Sequence, residues 1–373
     1  MSALALLDGP RPSRPSLGAP APRPSLAPAP TPLEPARWPR DDRASGRLLV
    51  VQGDGAVRDR TVRALSEELL AGDLLVVNDA ATLPGSLRGR TGRGEPVELR
   101  LSSELSPGRF RAVLFGGGDW RTPTEERGPA PTLEPGDLLE LGKDLRATVT
   151  AVSFLSTRLV DLRFDVGHDD LWPALFRAGT PVQYAYLRGP LEGWHVQTAY
   201  ASRPWAAEMP SAGRHLDWSL LTELRHRGVG LGTVTHAAGL SSTGDAAIDA
   251  ALPFPERWEV GPATAAAVHG TRARGGRVIA VGTSVVRALE SAAGEDGAVR
   301  AGTGVTSLRI GDGYRRRAVD GLLTGMHEPA GSHFDLCAAF VARPILLAAH
   351  AQARALGYLS HEFGDASLLT AAR

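Results

Sequence analysis

The spacing of apolar positions changes several times along the chain, and each change predicts an element. Leu48-Leu49-Val50-Val51 and Asp73-Leu74-Leu75-Val76-Val77 are short apolar runs, the pattern of buried strands. Between them, Val62, Leu65, Leu69 and Leu70 give one apolar face to a helix over 60–71 that Gly72 ends. From about 83 to 165 strand signals dominate. Val97 to Leu101, Phe110 to Phe115, Leu138 to Leu141, Ala147 to Val152 and Arg158 to Phe164 are separated by Gly and Pro clusters, which predicts a small barrel or sandwich. After 168 the pattern predicts helices over 169–178, 218–227, 262–274, 284–292 and 335–356. They alternate with strands over 229–235, 277–282 and 305–310. The expected architecture is α/β: a split α/β domain, 41–80 and 166–373, with an inserted small β-barrel domain at 81–165.

Residues 1–40 hold 11 of the 28 prolines and predict a disordered Pro-rich tail, whose arginines at 11, 14, 23, 37 and 40 read as solvated. Elsewhere the 373 residues have a globular composition, 43% hydrophobic and 22% charged. Lys+Arg and Asp+Glu are both 41, which excludes a strongly basic nucleic-acid coat. Lys143 is the one lysine, so the arginine bias is global and marks no site. The best apolar run, Leu336 to His350, is broken by Arg343 and Pro344, and predicts no membrane span. A single cysteine, Cys337, excludes an internal disulfide and a multi-cysteine metal cluster, and a reducing cytoplasm is the expected setting. No HExxH pair occurs, and His327 and His333 lie six apart, so no metal site is expected.

Four segments carry candidate chemistry. In Gly276 to Ser284 a buried strand turns into a helix. Gly282 permits close backbone approach and Thr283 or Ser284 can cap, so the turn is either an anion cradle or an ordinary strand–helix junction. Ser211-Ala212-Gly213-Arg214-His215 is either a loop presenting His215 for acid–base work or a capping loop with a surface histidine. Thr324-Gly325-Met326-His327-Glu328-Pro329 is a polar knot before the last predicted helix. Tyr314-Arg315-Arg316-Arg317 is the clearest basic cluster, either a phosphate contact or a solvated face.

Taken in order, these pieces resemble the S-adenosylmethionine:tRNA ribosyltransferase-isomerases of queuosine biosynthesis. The resemblance runs through most of 40–370. It is carried by Gly72-Asp73-Leu74-Leu75-Val76-Val77-Asn78-Asp79, Leu83-Pro84, Val196-Gln197-Thr198-Ala199-Tyr200-Ala201, Pro210 to His215, Val278 to Glu290, Val319-Asp320, Thr324 with His327 and Pro329, and Phe363-Gly364-Asp365-Ala366. It implies an α/β domain interrupted by a small β-barrel. It also implies S-adenosylmethionine as a ribosyl donor and substrate, with no metal or other cofactor. The acceptor would be 7-aminomethyl-7-deazaguanine in tRNA, and adenine and methionine would leave. The implied protein is a cytoplasmic monomer without membrane contact.

Carried over by motif, His215, Ser211 and His327 are the implied catalytic residues. Asn78, Asp79, Gly213, Gly282, Thr283, Ser284, Arg287 and Thr324 are the implied substrate-binding residues. The chain departs from the family pattern at Asn78-Asp79-Ala80-Ala81, which lacks an arginine, at Thr235 to Ser242, which lacks an aromatic residue, at Gly325 to Pro329, which stands for Asn-Phe-His-Leu-Pro, and at Tyr358 to Phe363, which stands for an Arg-Phe-Phe-Ser-Tyr segment. These losses touch base-binding groups. They leave open an enzyme that cleaves S-adenosylmethionine or transfers part of it to a small molecule, and a non-catalytic RNA-binding module.

Overall fold

The structure, a computed structural model, describes residues 31–371. The first segment of the α/β body contributes strands β1 (Arg47–Gln52), β2 (Val57–Thr61) and β3 (Leu74–Asn78). Six strands follow: β4 (Ser86–Thr91), β5 (Pro96–Ser106), β6 (Arg109–Phe115), β7 (Leu138–Leu141), β8 (Leu145–Val152) and β9 (Leu159–Phe164). The body resumes with β10 (Gly230–His236), β11 (Glu256–Val260), β12 (Val278–Val281), β13 (Gly302–Thr306), β14 (Gly321–Gly325) and β15 (Ala366–Thr370).

The body is built on a nine-stranded mixed sheet in the order β13-β11-β10-β3-β12-β14-β15-β1-β2. Its centre, β10, β3, β12 and β14, is parallel throughout. Strand alternation sends side chains to two cores. Leu49, Val51, Leu74 and Val76 pack on one face with Val285, Val286 and Leu289 of helix Thr283–Ala292 and Leu346 and Ala349 of helix Arg343–Ala355. Leu48, Val50, Leu75 and Val77 pack on the other face with Leu220, Leu221 and Leu224 of helix Trp218–His226. The continuous apolar runs of β1 and β3 follow from that two-sided burial.

The six inserted strands close on themselves in the order β4-β5-β6-β9-β8-β7, with β7 pairing back to β4. Leu87, Leu99, Leu101, Phe110, Leu139, Val149 and Leu162 fill the interior. The closing seam needs Gly89, because a Cβ there would lie 1.8 Å from the Glu140 carbonyl oxygen. The architecture is therefore α/β with an inserted closed barrel, whose strands run from Ser86 to Phe164.

Several boundaries differ from the sequence reading. The helix expected over 60–71 is strand to Thr61 and one helical turn at Leu65–Glu68, because Val57–Thr61 pairs with β1 around a tight turn at Gly55. The helix expected over 335–356 is two, Ser332–Cys337 and Arg343–Ala355. Pro344 lacks an N–H and suits the first turn of the second. The strand expected over 305–310 lies at Gly302–Thr306. Strands β4, β11, β14 and β15 lacked a recognised signal.

The tail expected over 1–40 falls outside the described residues up to residue 30. Beyond it, the structure contradicts disorder. Glu34–Pro35 pairs in parallel with Leu359–Ser360, Leu33 and Ala36 are buried, and Arg40 bonds Asp365 at 2.8 Å. No helix among the described residues is long and apolar enough to cross a membrane.

Candidate active site

Open α/β sheets bind ligands beyond the carboxyl ends of their parallel strands. That position is occupied here by a cavity of about 680 Å³, within the ~300–1,000 Å³ range of small-molecule sites. Each central strand feeds it: β10 through Ala238 to Ser242, β12 through Gly282 to Ser284, and β14 through Thr324 to His327. The chain leaves for the barrel after β3, and the barrel returns Pro123, Thr124 and Glu125 to the cavity wall.

The β12 turn places Gly282 at φ 89°, where glycine is favoured and a side chain is strained. Helix Thr283–Ala292 therefore starts at the cavity, with no side chain capping its first N–H groups. Asn78 steadies this corner: its Nδ2 donates to the His236 carbonyl at 3.0 Å and to Ser284 Oγ at 3.3 Å, and its Oδ1 accepts from His236 N–H at 2.9 Å. One turn along the helix, the Arg287 guanidinium enters the wall but is already engaged. It pairs with Glu256 and donates from Nε to the Leu308 carbonyl at 3.0 Å. Burial lowers its pKa to about 10. The second Glu256 oxygen accepts from Gly239 N–H at 2.7 Å.

At the β14 turn, His327 Nε2 lies 2.7 Å from Thr324 Oγ1, and the His333 ring is 4.9 Å away. Burial and that neighbouring imidazole hold the His327 pKa well below its ordinary value, so the ring is neutral at pH 7. Two further pairs line the cavity: Tyr184 donates to Glu208 and Tyr186 to Glu362. Burial pushes both carboxyl pKa values up. The two tyrosine rings stack 6.0 Å apart, and Tyr186 also packs on His361 at 4.5 Å.

A family model described as "Queuosine biosynthesis protein" matches residues 30–369. The chain belongs to that family. It is 36% identical over 344 residues to the S-adenosylmethionine:tRNA ribosyltransferase-isomerase of Acidiphilium cryptum, covering 90% of this chain and 94% of that one. The namesake from Gloeobacter violaceus is also 36% identical, over 338 residues, with 90% and 92% covered. A crystal structure of a Thermotoga maritima S-adenosylmethionine tRNA ribosyltransferase is 25% identical, covers 90% of this chain and 95% of that one, and superposes at a TM-score of 0.48.

Of the residues singled out by resemblance to the queuosine biosynthesis family, Ser211, Gly282, Thr283, Ser284, Arg287, Thr324 and His327 line the cavity. Four do not. Asn78 lies behind Ser284, and Asp79 accepts from Thr235 Oγ1 at 2.6 Å. Gly213 serves a close approach, because a Cβ there would meet Tyr200 Oη at 2.1 Å. His215 corrects the sequence reading most. It is buried, and its Nδ1 donates to the Arg43 carbonyl at 3.0 Å with the ring against Gly46. It fastens the Ser211–His215 turn to the Arg43–Ser45 turn and does not reach the cavity. The basic cluster divides: Arg316 donates to the Val319 and Asp320 carbonyls and Tyr314 to Glu290, whereas Arg315 and Arg317 are exposed.

Sequence reasoning missed Tyr184, Tyr186, Glu208, Glu256 and Glu362. Only Tyr184-Ala185-Tyr186 carried a signal, since an i, i+2 spacing in extended chain puts both rings on one side. Among the described residues, no group of three or more His, Cys, Asp or Glu is placed to hold a metal ion.

His236 is fully buried; its Nε2 lies 3.4 Å from Glu256 Oε2, but neither ring nitrogen makes a hydrogen bond among the described residues. Burial, and then the Arg287 charge, push its pKa down to about 3. The folded chain leaves it unprotonated where the unfolded chain, near 6.5, binds a proton. Stability tied to this group is therefore whole above pH 6.5 and lost as pH falls toward 3. It should cost about 2 kcal/mol between pH 6.5 and 5. Urea unfolding at the two pH values should show a pH dependence shallower by that amount in His236→Asn.

Proposed function

We infer that this protein is an S-adenosylmethionine:tRNA ribosyltransferase-isomerase. It transfers the ribosyl moiety of S-adenosylmethionine to 7-aminomethyl-7-deazaguanine in tRNA, with release of adenine and methionine. The observation that carries this reading is the family's name-bearing relatives at 36% identity over 90% of the chain. The cavity at the strand ends supports it with room for a nucleoside-sized donor. The reading brings with it a cytoplasmic monomer that takes S-adenosylmethionine as substrate and uses no further cofactor.

In this reading the uncapped N-terminus of helix Thr283–Ala292, with the Thr283 and Ser284 hydroxyls, receives the donor's carboxylate. Arg287 shapes the wall and does not clamp the anion, because Glu256 already neutralises it. His327 is the acid–base group, held by Thr324 through Nε2; its Nδ1 has no partner among the described residues and can meet the substrate. The tyrosine–glutamate pairs make their part of the wall suited to positive charge, which the donor's sulfonium carries.

The test is to incubate the protein with S-adenosylmethionine, with and without tRNA bearing the aminomethyl-deazaguanine, and to follow adenine and methionine. Release only with that tRNA is expected. Release without it would replace this reading by cleavage, or by transfer to a small molecule. No binding of the donor by calorimetry would leave a non-catalytic module.

A further inference from the structure

The proposed reaction brings two primary amines to one cavity: the α-ammonium of the donor and the aminomethyl group of the acceptor base. Glu208 and Glu362 are the half-buried cavity carboxylates without an ionic partner; Glu125, also unpaired, is exposed at the rim. Glu256 is paired with Arg287 and Asp335 with Arg343, whereas no Arg, Lys or His among the described residues lies within 4.0 Å of Glu208 or Glu362. In a chain with 41 basic residues that isolation is specific.

Each of the two carboxylates is fixed in the same way. Tyr184 holds Glu208 through Oε1, and Tyr186 holds Glu362 through Oε2. Glu362 Oε1 has no hydrogen bond among the described residues, although it is not shut away from the cavity. The near-parallel tyrosine rings, 10° between planes, are extended by His361, which sits in the left-handed region at φ 66°. Non-glycine residues seldom adopt that conformation, and it is retained where surroundings impose it. The result is an aromatic wall with two anchored acceptors along it, the combination that recognises a cationic amine by charged hydrogen bonds and ring faces.

We propose that Glu208 and Glu362, anchored by Tyr184 and Tyr186, form the primary-ammonium subsite of this cavity. The inference rests on the functional reading above. It goes further in assigning residues that the family resemblance did not; Glu362 lies in a segment where the chain departs from the family pattern.

The experiment compares wild type with Glu208→Gln and Glu362→Gln. Calorimetry measures S-adenosylmethionine and its analogue lacking the α-amino group, and adenine release gives the apparent KM for the aminomethyl-bearing tRNA. At least one variant should lose about tenfold on one arm. Weaker binding of S-adenosylmethionine, with binding of the deamino analogue unchanged, supports the subsite and names the donor's ammonium. Unchanged donor binding with a raised KM for the tRNA supports it and names the acceptor's amine. Changes within twofold on both arms, in folded variants of an active wild type, overturn the subsite and leave the functional reading intact. A wild type that neither binds the donor nor releases adenine overturns both. Tyr184→Phe and Tyr186→Phe loosen the carboxylates without removing them, and should move the same arm by a smaller factor. They decide the matter if a glutamine variant does not fold.

Discussion

His327→Ala should lower the rate of tRNA-dependent adenine release by about 10²–10⁴-fold, the usual contribution of a positioned acid–base group, while His215→Ala keeps turnover in its folded fraction. His215 is buried and His327 half-buried, and geometry separates them. His327 lines the wall with one nitrogen on Thr324. His215 spends its proton on the Arg43 carbonyl and packs on Gly46. Losing it removes a buried hydrogen bond, worth about 1 kcal/mol net, and shows in unfolding, not in kcat. The His327 pKa is depressed, so the ring gains a proton only below its ordinary value. Its acid limb in kcat should therefore lie under pH 6.5, and the profile should be flat in this group from 6.5 to 8. Wild-type turnover in His327→Ala, or its loss in folded His215→Ala, would reverse the assignment.

The second large effect is on stability. Glu256→Ala should destabilise the protein by about 3–5 kcal/mol, because it leaves the Arg287 guanidinium buried without its counter-charge. Both side chains are 8% exposed, so solvent screens little of this. The loss should appear as a lower urea midpoint at unchanged m. It also frees the Gly239 N–H, so the Ala238 to Ser242 wall loosens and the donor binds less tightly. A buried pair is costly mainly when half of it is removed. The double variant Glu256→Gln with Arg287→Met should therefore recover much of the loss. A single variant within 1 kcal/mol of wild type would show that the pair is not buried in solution.

The fold was legible where one local rule governed several residues. The apolar runs of β1, β3 and β12 are inner strands of the sheet, buried on both faces, and the punctuated strands of the insert close the barrel. Strands such as Glu256–Val260 escaped because three charges, Glu256, Arg257 and Glu259, interrupt the apolar pattern at a position near the sheet edge. The strand–helix turn at Gly282 and the Thr324–His327 loop were legible because a parallel strand leads into each. His215 misled because a histidine beside small residues reads alike whether it faces a cleft or a neighbouring turn. The Tyr–Glu pairs were hidden because their partners lie 24 and 176 residues apart in the chain.

The interleaving of the sheet has a consequence for synthesis on the ribosome. Strand β15 (Ala366–Thr370), far downstream of β1 (Arg47–Gln52), lies between β1 and β14. The open flank of β1 thus waits for the barrel and most of the α/β body to emerge before its permanent neighbour exists. The barrel, drawn from one continuous stretch, can close long before. The nascent chain therefore carries a finished module beside a hairpin with one open edge, the period in which it most needs chaperone cover.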